Sequence, residues 1–210
     1  MLNLHPIKQK LIKGLNNPLP GVEAHQKMTV PGRIMPPVIP THAKKAAVLV
    51  LFYHRIDRIF IAFIKRKKHE ADLHSGQISF PGGKWEVTDD YPVQTALRES
   101  MEEIGITDEI EILGNLSPLY IPVSNFYVSP VIGWHQQLNP SFKIHEAEVD
   151  ELIEMDLGLI LDDTLKKQVH IQVLPSMTMK DIPAYDIHGH IIWGATAMIL
   201  SELEYLLKGE

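Results

Sequence analysis

The 210-residue chain contains no cysteine. This absence excludes disulfide bonds, thiolate zinc sites and cysteine nucleophiles, and it is typical of proteins from a reducing compartment. Basic residues are also few, because 20 lysines and arginines against 26 acids give a formal net charge of −6. This balance argues against nucleic-acid binding as the main activity, although it leaves room for a local basic patch that binds phosphate.

Long hydrophobic runs are absent too. No stretch approaches about 18 consecutive apolar residues, the length that a membrane-spanning helix requires. The first residues, MLNLHPIKQKLIKGLNN, lack the apolar region and the small-residue cleavage site of a signal peptide. We therefore predict that no membrane is a partner and that the protein is cytoplasmic.

Hydrophobic periodicity predicts many strands with a few helices between them. Residues 4–14 have helical spacing, and residues 15–43, with six prolines, are predicted to form an irregular extension. Predicted strands lie at 46–53 and 58–64 (a hairpin), 78–80, 110–120, 127–134, 150–156, 169–174, 184–187 and 191–193, and predicted helices at 92–104, 157–162 and 195–207. This pattern predicts an α+β fold in which helices pack on a mixed sheet, with an N-terminal extension (1–43) laid over a main domain (44–210).

One segment, residues 80–106 (FPGGKWEVTDDYPVQTALRESMEEIGI), combines a double glycine with a helix that carries clustered acids. Glu99, Glu102 and Glu103 are related by i, i+3 and i+4, so they gather on one side of this helix. Like charges at this spacing repel by a few tenths of a kcal/mol. Acids in the last turn also oppose the helix dipole, by roughly 0.3–1 kcal/mol each. The cluster therefore needs a compensating positive charge.

A divalent cation would supply that charge. Oxygen ligands favour Mg²⁺ or Mn²⁺ over zinc, and such ions neutralise a diphosphate and activate bound water. Gly82 and Gly83 permit close backbone approach to a ligand, and Glu86 adds an acid in the loop. The alternative is that the three glutamates form a solvated helix face, with Arg98 in a surface ion pair worth about 0–1 kcal/mol.

The order and spacing of these residues resemble the Nudix box. Residues 98–106, RESMEEIGI, are similar to its second half, R-E-U-x-E-E-x-G-U, where U is apolar and Ser100 departs at the first U. The common pattern has a glycine at the position of Lys84, whereas here Gly83 lies one residue further back. This longer loop resembles the coenzyme A pyrophosphatase subgroup, as do the segments at 18–28, 74–84, 118–133 and 191–200.

One departure from the subgroup concerns two arginines upstream of Gly76. In strict register their positions hold Lys67 and Asp72, and Arg66 fills the first only if one residue is inserted. Because arginine is a natural partner of phosphate, the loss at position 72 weakens the case for coenzyme A itself. The basic cluster at 65–68 still offers cations, and its alternative interpretation is a solvated strand end.

The resemblance implies the Nudix fold, an α/β/α sandwich with a mixed β-sheet, and a metal-dependent diphosphatase. It also implies that Mg²⁺ or Mn²⁺ is held by three glutamates of the helix, Glu99, Glu102 and Glu103. Gly83 and Glu86 are lesser candidates for metal ligands. Arg98 is expected to orient one of these glutamates. The general base is either a glutamate of the box or an acid from a distant loop, for which Glu148 and Glu151 are candidates; a plain surface acid is the alternative for each.

Predicted substrate contacts lie near the box and in one loop: Arg66, Lys67, Phe80, Gly82, Gly83, Ser124, Asn125 and Phe126. The last three interrupt two strands, and a simple turn is their alternative interpretation. His188 and His190 are predicted to be turn residues beside Gly189, and Trp193 to be a core residue.

Three functions stay open at the level of sequence. The leading one is cleavage of coenzyme A or acyl-CoA to 3′,5′-ADP and (acyl-)4′-phosphopantetheine. The second, suggested by Asp72, is a Nudix hydrolase of another diphosphate such as ADP-ribose or a nucleoside triphosphate. The third is a non-catalytic Nudix-fold binding protein, against which the intact glutamate set argues. We expect a small-molecule diphosphate partner and no nucleic acid, and the sequence leaves a homodimer open.

Overall fold

The apolar runs in the middle of the chain form a mixed, eight-stranded sheet. The computed structural model describes residues 5–33, 39–67, 76–106, 109–174 and 177–209. The sheet contains β1 (Lys44–Arg55), β2 (Arg58–Arg66), β3 (Ile78–Ser79), β4 (Gly82–Lys84), β5 (Ile110–Asn115), β6 (Leu119–Ile121), β7 (Phe126–Leu138) and β8 (Val149–Asp156). β1 and β7 are parallel. The other pairings are antiparallel: β2 and β4 pair with β1; β3 and β8 pair with β2; β5 and β6 pair with β7.

Helices cover both faces of this sheet. They are α1 (Pro6–Leu15), α2 (Val22–Gln26), α3 (Val93–Ile104), α4 (Leu157–Ile160) and α5 (Gly194–Lys208), with a 3₁₀ turn at Asp163–Leu165. Side chains alternate along β1, so Leu49 packs under α3 with Ala96, whereas Val50 belongs to the core that contains Leu11 of α1 and Leu203 of α5. This arrangement confirms the predicted α/β/α sandwich. None of the helices in the described ranges has the length and hydropathy to cross a membrane.

A second, three-stranded antiparallel sheet packs near α5. It consists of β9 (Lys166–Leu174), β10 (Met177–Ile187) and β11 (His190–Trp193). His188 and Gly189 form the tight turn between the last two strands, both with positive φ (53° and 85°). The turn prediction is thus confirmed for His188, whereas His190 is the first residue of β11 and pairs with Ile187. Tyr185 and Ile192 from this sheet are fully buried and extend the core beneath α5.

The N-terminal segment is more ordered than predicted. Residues 15–43 were expected to be irregular, but they contain the short helix α2, which packs against α5. The pairing is fixed by Glu202 of α5, which is fully buried and accepts hydrogen bonds from the backbone N–H groups of Gly21 and Ser117, at 3.1 and 3.0 Å, and lies 3.2 Å from Nε2 of His25. The conformation of Gly21 (φ +50°) lets the chain turn into α2. The domain division at residue 43 stays a prediction.

Three predicted strands need correction, and one strand was not predicted. The run at 110–120 is two strands, β5 and β6, because the chain leaves the ladder with β7 after Asn115 and pairs again from Leu119; the irregularity at Gly114 (φ +148°) lies within β5. The double glycine, for which no strand was predicted, forms β4 against β1; glycine has no side chain and so carries no alternation signal. The strands predicted at 169–174 and 184–187 begin earlier, at Lys166 and Met177.

Candidate active site

The two glycines of β4 allow this strand to approach both its neighbours closely. Gly82 has φ +144°, and a Cβ atom there would lie 2.3 Å from the carbonyl oxygen of Ala47 on β1. A Cβ atom on Gly83 would lie 2.2 Å from Oε2 of Glu99 on α3. Only glycine fits either position without a shift of its neighbours. The space that a side chain of Gly83 would fill is therefore occupied by a carboxylate.

Glu103 lies beside the same glycine pair. Its side chain is buried, and its Oε2 accepts a hydrogen bond of 2.8 Å from the backbone N–H of Gly82. Its Oε1 lies 3.5 Å from Nη1 of Arg66. The pKa of Glu103 is raised to about 7, mainly by burial and also by the charges of Glu99 and Glu148, against the lowering effects of the Gly82 hydrogen bond and of Arg66. Burial also raises the pKa of Glu99.

Glu102 occupies a different position. Its side chain is 52% exposed, and its Oε2 lies 3.4 Å from Nη1 of Arg98. Within the described ranges, no three acidic, histidine or cysteine side chains stand close enough together to hold a metal ion. The structure therefore brings Glu99 and Glu103 together at the glycines and leaves Glu102 at the solvent side of Arg98. The predicted three-glutamate cluster is not assembled in this conformation.

The donor atoms at the glycines nevertheless suit a hard divalent cation. Glu99 lies against Gly83 and Glu103 against Gly82, and both carboxyl groups have raised pKa values because burial and neighbouring acids disfavour their ionised forms. A cation would reverse that preference by balancing their charge. An all-oxygen set of this kind is the type that Mg²⁺ and Mn²⁺ bind. Glu86, a lesser candidate, has an exposed side chain on the loop after β4.

Arg98 is held by an acid of the loop between β4 and α3. Asp89 accepts hydrogen bonds from Nε and Nη2 of Arg98, at 3.1 and 2.9 Å, and from Oγ1 of Thr95 at 3.0 Å. The Arg98 hydrogen bonds are the main cause of the lowered pKa of Asp89, about 2. Arg98 in turn donates to Glu99 Oε1 at 2.9 Å and to the carbonyl of Lys84 at 3.0 Å.

This network joins the long loop after β4 to the box helix. The contact of Arg98 with Glu99 suits the orienting role predicted for the arginine. Asp89 supports that role, because it holds the guanidinium of Arg98. The signal in the sequence was an acid in a loop one residue longer than usual, nine positions before the arginine.

Of the two candidates for the general base, Glu148 is the nearer to the glutamates. Its loop docks on the end of α3, where the N–H groups of Lys143 and His145 donate to the carbonyls of Ile104 and Glu103, each at 2.9 Å. The charge of Glu148 contributes to the raised pKa values of both Glu99 and Glu103. Its carboxylate is 55% exposed and lies 3.3 Å from Nδ1 of His145.

Glu151, the other candidate, pairs with Lys65 along β8 and lines a separate groove. No contact between Glu151 and the box glutamates occurs in the described part of the chain.

The predicted substrate contacts divide into residues near the carboxylates and residues elsewhere. Arg66 reaches Glu103, whereas the ammonium of Lys67 donates to the carbonyl of Glu146 at 2.7 Å. Phe80 is 2% exposed and stacks on Phe63 with ring centroids 4.8 Å apart. The prediction for Phe80 is corrected accordingly, since a core side chain does not face a ligand.

The loop of Ser124, Asn125 and Phe126 is a turn between β6 and β7. Asn125 has φ +55°, and its side-chain oxygen accepts a hydrogen bond of 2.9 Å from the hydroxyl of Tyr120. The ring of Phe126 lies under the ammonium of Lys44 and packs against the core on the side of α5, not α3. These contacts favour the turn interpretation. Lys68, Asp72 and His74, which entered the comparison with the subgroup, lie outside the described residues.

Comparisons with known proteins agree with this geometry. The model of the NUDIX domain matches residues 43–176, more than half of the chain. A protein of Pectobacterium atrosepticum named uncharacterized Nudix hydrolase NudL is 34% identical over 182 residues, 81% of this chain and 87% of that protein. The human mitochondrial coenzyme A diphosphatase NUDT8 is 36% identical over 142 residues, 66% of this chain and 59% of that protein.

A solved structure extends the likeness to the fold. The MutT protein from Methanosarcina mazei Go1 superimposes with a TM-score of 0.50 and 15% sequence identity, over 81% of this chain and 98% of that protein. At this identity the match concerns the arrangement of strands and helices alone.

Proposed function

This chain belongs to the Nudix hydrolase family, whose members cleave phosphorus-containing anhydrides, and we propose that it is a coenzyme A diphosphatase. Its products would be 3′,5′-ADP and 4′-phosphopantetheine, or the acylated form from acyl-CoA. The observation that carries the proposal is a pair of carboxylates, the partly buried Glu99 and the buried Glu103, that contact the two glycines of β4, with Arg66 beside Glu103.

Support for coenzyme A as the substrate comes from the loop and from one relative. The loop between the glycines and the box arginine has the extra residue typical of the subgroup, and Asp89 fixes that loop to Arg98. The human relative that is 36% identical is named a coenzyme A diphosphatase. The departure at Asp72 motivates the second candidate, hydrolysis of another diphosphate such as ADP-ribose.

The chemistry assigns a task to each residue of the site. Glu99 and Glu103 would hold Mg²⁺ or Mn²⁺, which neutralises the diphosphate and acidifies bound water. Arg66 binds a diphosphate oxygen by its charge, and Arg98 with Asp89 keeps the carboxylate of Glu99 in place. Glu148 accepts a proton from water as its oxygen bonds to one phosphorus. The bridging P–O bond breaks, and two phosphate monoesters leave.

The test compares two substrates under the same conditions. The protein is incubated with coenzyme A or with ADP-ribose, with Mg²⁺ or Mn²⁺, and the products are separated by chromatography. We expect 3′,5′-ADP to appear from coenzyme A much faster than AMP appears from ADP-ribose. Faster cleavage of ADP-ribose would reject the proposed substrate while leaving the hydrolase class in place.

The same assay decides between an enzyme and a non-catalytic binding protein. We expect activity to require added divalent cation and to disappear on chelation, because a cation would balance the charges of Glu99 and Glu103 and neutralise the diphosphate. A folded protein that binds coenzyme A without cleaving any diphosphate at any cation concentration would be a binding protein.

A further inference from the structure

A cavity of about 300 Å³ lies between the central sheet and the three-stranded sheet. One wall is formed by the end of β2 and the start of β3, and the other by β9 and β11; the main side chains are Lys65, Gln77, Ile78, Gln172, His190 and Trp193. The volume equals about ten molecules of liquid water and lies at the lower end of the range for ligand pockets. It suits one ring system with its substituents, and not a whole coenzyme.

Lys65 supplies a positive charge to this cavity. In the part of the chain that the structure describes, its ammonium makes no hydrogen bond and no ion pair. Because it is only partly exposed, it can be fixed by a ligand at little cost in side-chain entropy. An ammonium of this kind is suited to a phosphate group, which it binds as a point charge.

The position of Lys65 relates the cavity to the carboxylate site. Arg66 is the next residue of β2 and points to the opposite face, where it meets Glu103. A substrate with two anionic groups can reach Arg66 with its diphosphate and Lys65 with the second group only by lying around this end of β2.

The remaining walls suit an aromatic base. Trp193, predicted to be a core residue, is only partly buried and lines the cavity together with His190. Gln77 and Gln172 add polar residues to the lining, and Ile78 adds an apolar one. An acyl chain would need none of these polar groups, whereas a nucleobase uses both stacking surfaces and hydrogen-bonding edges.

From these observations we infer that the cavity binds the adenosine 3′-phosphate end of coenzyme A, with Lys65 pairing the 3′-phosphate and Trp193 stacking on the adenine. This inference rests on the proposed function. It also supplies a phosphate-binding cation to replace the subgroup arginine that is absent at position 72. Lys65, His190 and Trp193 are then specificity-determining residues, separate from the diphosphate site at Arg66.

The test measures binding without catalysis. The affinities of 3′,5′-ADP and of 5′-AMP are measured by calorimetry for the wild type and for Lys65→Met. We expect the wild type to prefer 3′,5′-ADP by about tenfold or more, and Lys65→Met to abolish that preference while leaving 5′-AMP affinity unchanged. Trp193→Leu should weaken both nucleotides by similar factors, because both carry the base.

Two controls accompany this comparison. Lys180→Met removes an exposed lysine of β10 that does not line the cavity, and should leave both affinities unchanged. Lys65→Arg keeps the charge and should keep the preference for 3′,5′-ADP, which separates the charge from a folding defect of the methionine variant. Equal weakening of both nucleotides by Lys65→Met, or no weakening of either, would overturn the inference.

A kinetic comparison separates this inference from the proposed function. The ratio of kcat/KM for coenzyme A to that for its 3′-dephospho form should fall about tenfold in Lys65→Met. If coenzyme A is cleaved but the ratio does not change, the cavity inference fails and the proposed function stands. If coenzyme A is not cleaved while 3′,5′-ADP preference depends on Lys65, the proposed function fails and the nucleotide site stands.

Discussion

The two faces of the central sheet each bury a glutamate, and the two residues have opposite surroundings. Glu202 of α5 accepts hydrogen bonds from the N–H groups of Gly21 and Ser117 and lies within 3.2 Å of His25. Glu103 of α3 accepts one short hydrogen bond, from Gly82, and Arg66 lies 3.5 Å from it, within the described part of the chain.

The difference separates a structural acid from a functional one. Donors surround Glu202, so its charge is compensated by the fold itself. Glu103 has two other acids near it instead, and its pKa is raised to about 7. A carboxylate that the protein leaves under-compensated in this way is prepared for a partner from outside, which for an all-oxygen site is a divalent cation. Substitutions at the two glutamates and at the glycines of β4 test this distinction.

The largest effect is expected from Glu103→Gln. Glutamine keeps an oxygen to accept the hydrogen bond from Gly82 but loses the charge that would hold the cation. We expect kcat to fall by about three orders of magnitude or more, since a metal ion contributes several kcal/mol to such a transition state. The free energy of unfolding should be unchanged or increased, because a neutral group costs less to bury. Turnover of the preferred diphosphate and urea unfolding measure the two quantities.

Glu202→Gln is the matched variant on the other face, and the expected effects are reversed. The new amide places a donor against the N–H of Gly21 or of Ser117, so one buried donor loses its acceptor. We expect a loss of about 2–3 kcal/mol in the free energy of unfolding. The folded protein should keep kcat within about twofold. If Glu202→Gln abolished turnover at full stability, or Glu103→Gln unfolded the protein at full specific activity, the distinction between the two acids would be wrong.

Substitution of Gly83, which contacts Glu99, should disturb the same site with a smaller effect on kcat. Gly83→Ala places a methyl group where the Glu99 carboxylate lies, and the flexible end of that side chain has to move. We expect kcat to fall by about 10- to 100-fold, because misplacement of a catalytic group by about an ångström has effects of this size. The cost in stability should be below about 1 kcal/mol, since Gly83 has no positive φ.

Gly82→Ala is the control for this substitution. Its methyl group would meet the backbone of Ala47 and Val48 at a φ of +144°. It should therefore lower stability by several kcal/mol, far more than Gly83→Ala. Two variants with equal stability would mean that neither glycine is required by close packing.

The sequence predicted the fold more fully than it predicted the site. The order of strands and helices, the box helix ending at Gly105 and the hairpin at β1 and β2 follow from local periodicity and capping, which neighbouring residues encode. The pairing of β4 with β1 was missed because glycines carry no pattern. The division of the run at 110–120 was missed because an apolar stretch does not reveal a break in its ladder.

The site was predicted in part for a similar reason. Helical spacing put the three glutamates on one side of α3. Two contacts depend instead on tertiary packing: Gly83 touches Glu99 and not the other glutamates, and Arg98 forms an ion pair with Glu102. The partnership of Asp89 with Arg98 spans a loop whose shape the sequence does not give. Phe80 was interpreted from its place next to the glycines, whereas its burial depends on Phe63, a residue of another strand.

The smallest expected effect is that of Ser100→Ala on the buried face of α3. The Ser100 hydroxyl is buried and has no hydrogen-bond partner within the ranges that the structure describes. Alanine removes this desolvated group and has the higher helix propensity, so we expect stability to rise by about 0–1 kcal/mol with kcat unchanged. Unfolding by urea of Ser100→Ala beside the wild type measures this. A loss of more than about 1 kcal/mol would show that the hydroxyl has a partner, and the departure from the apolar residue of the box would then have a structural role.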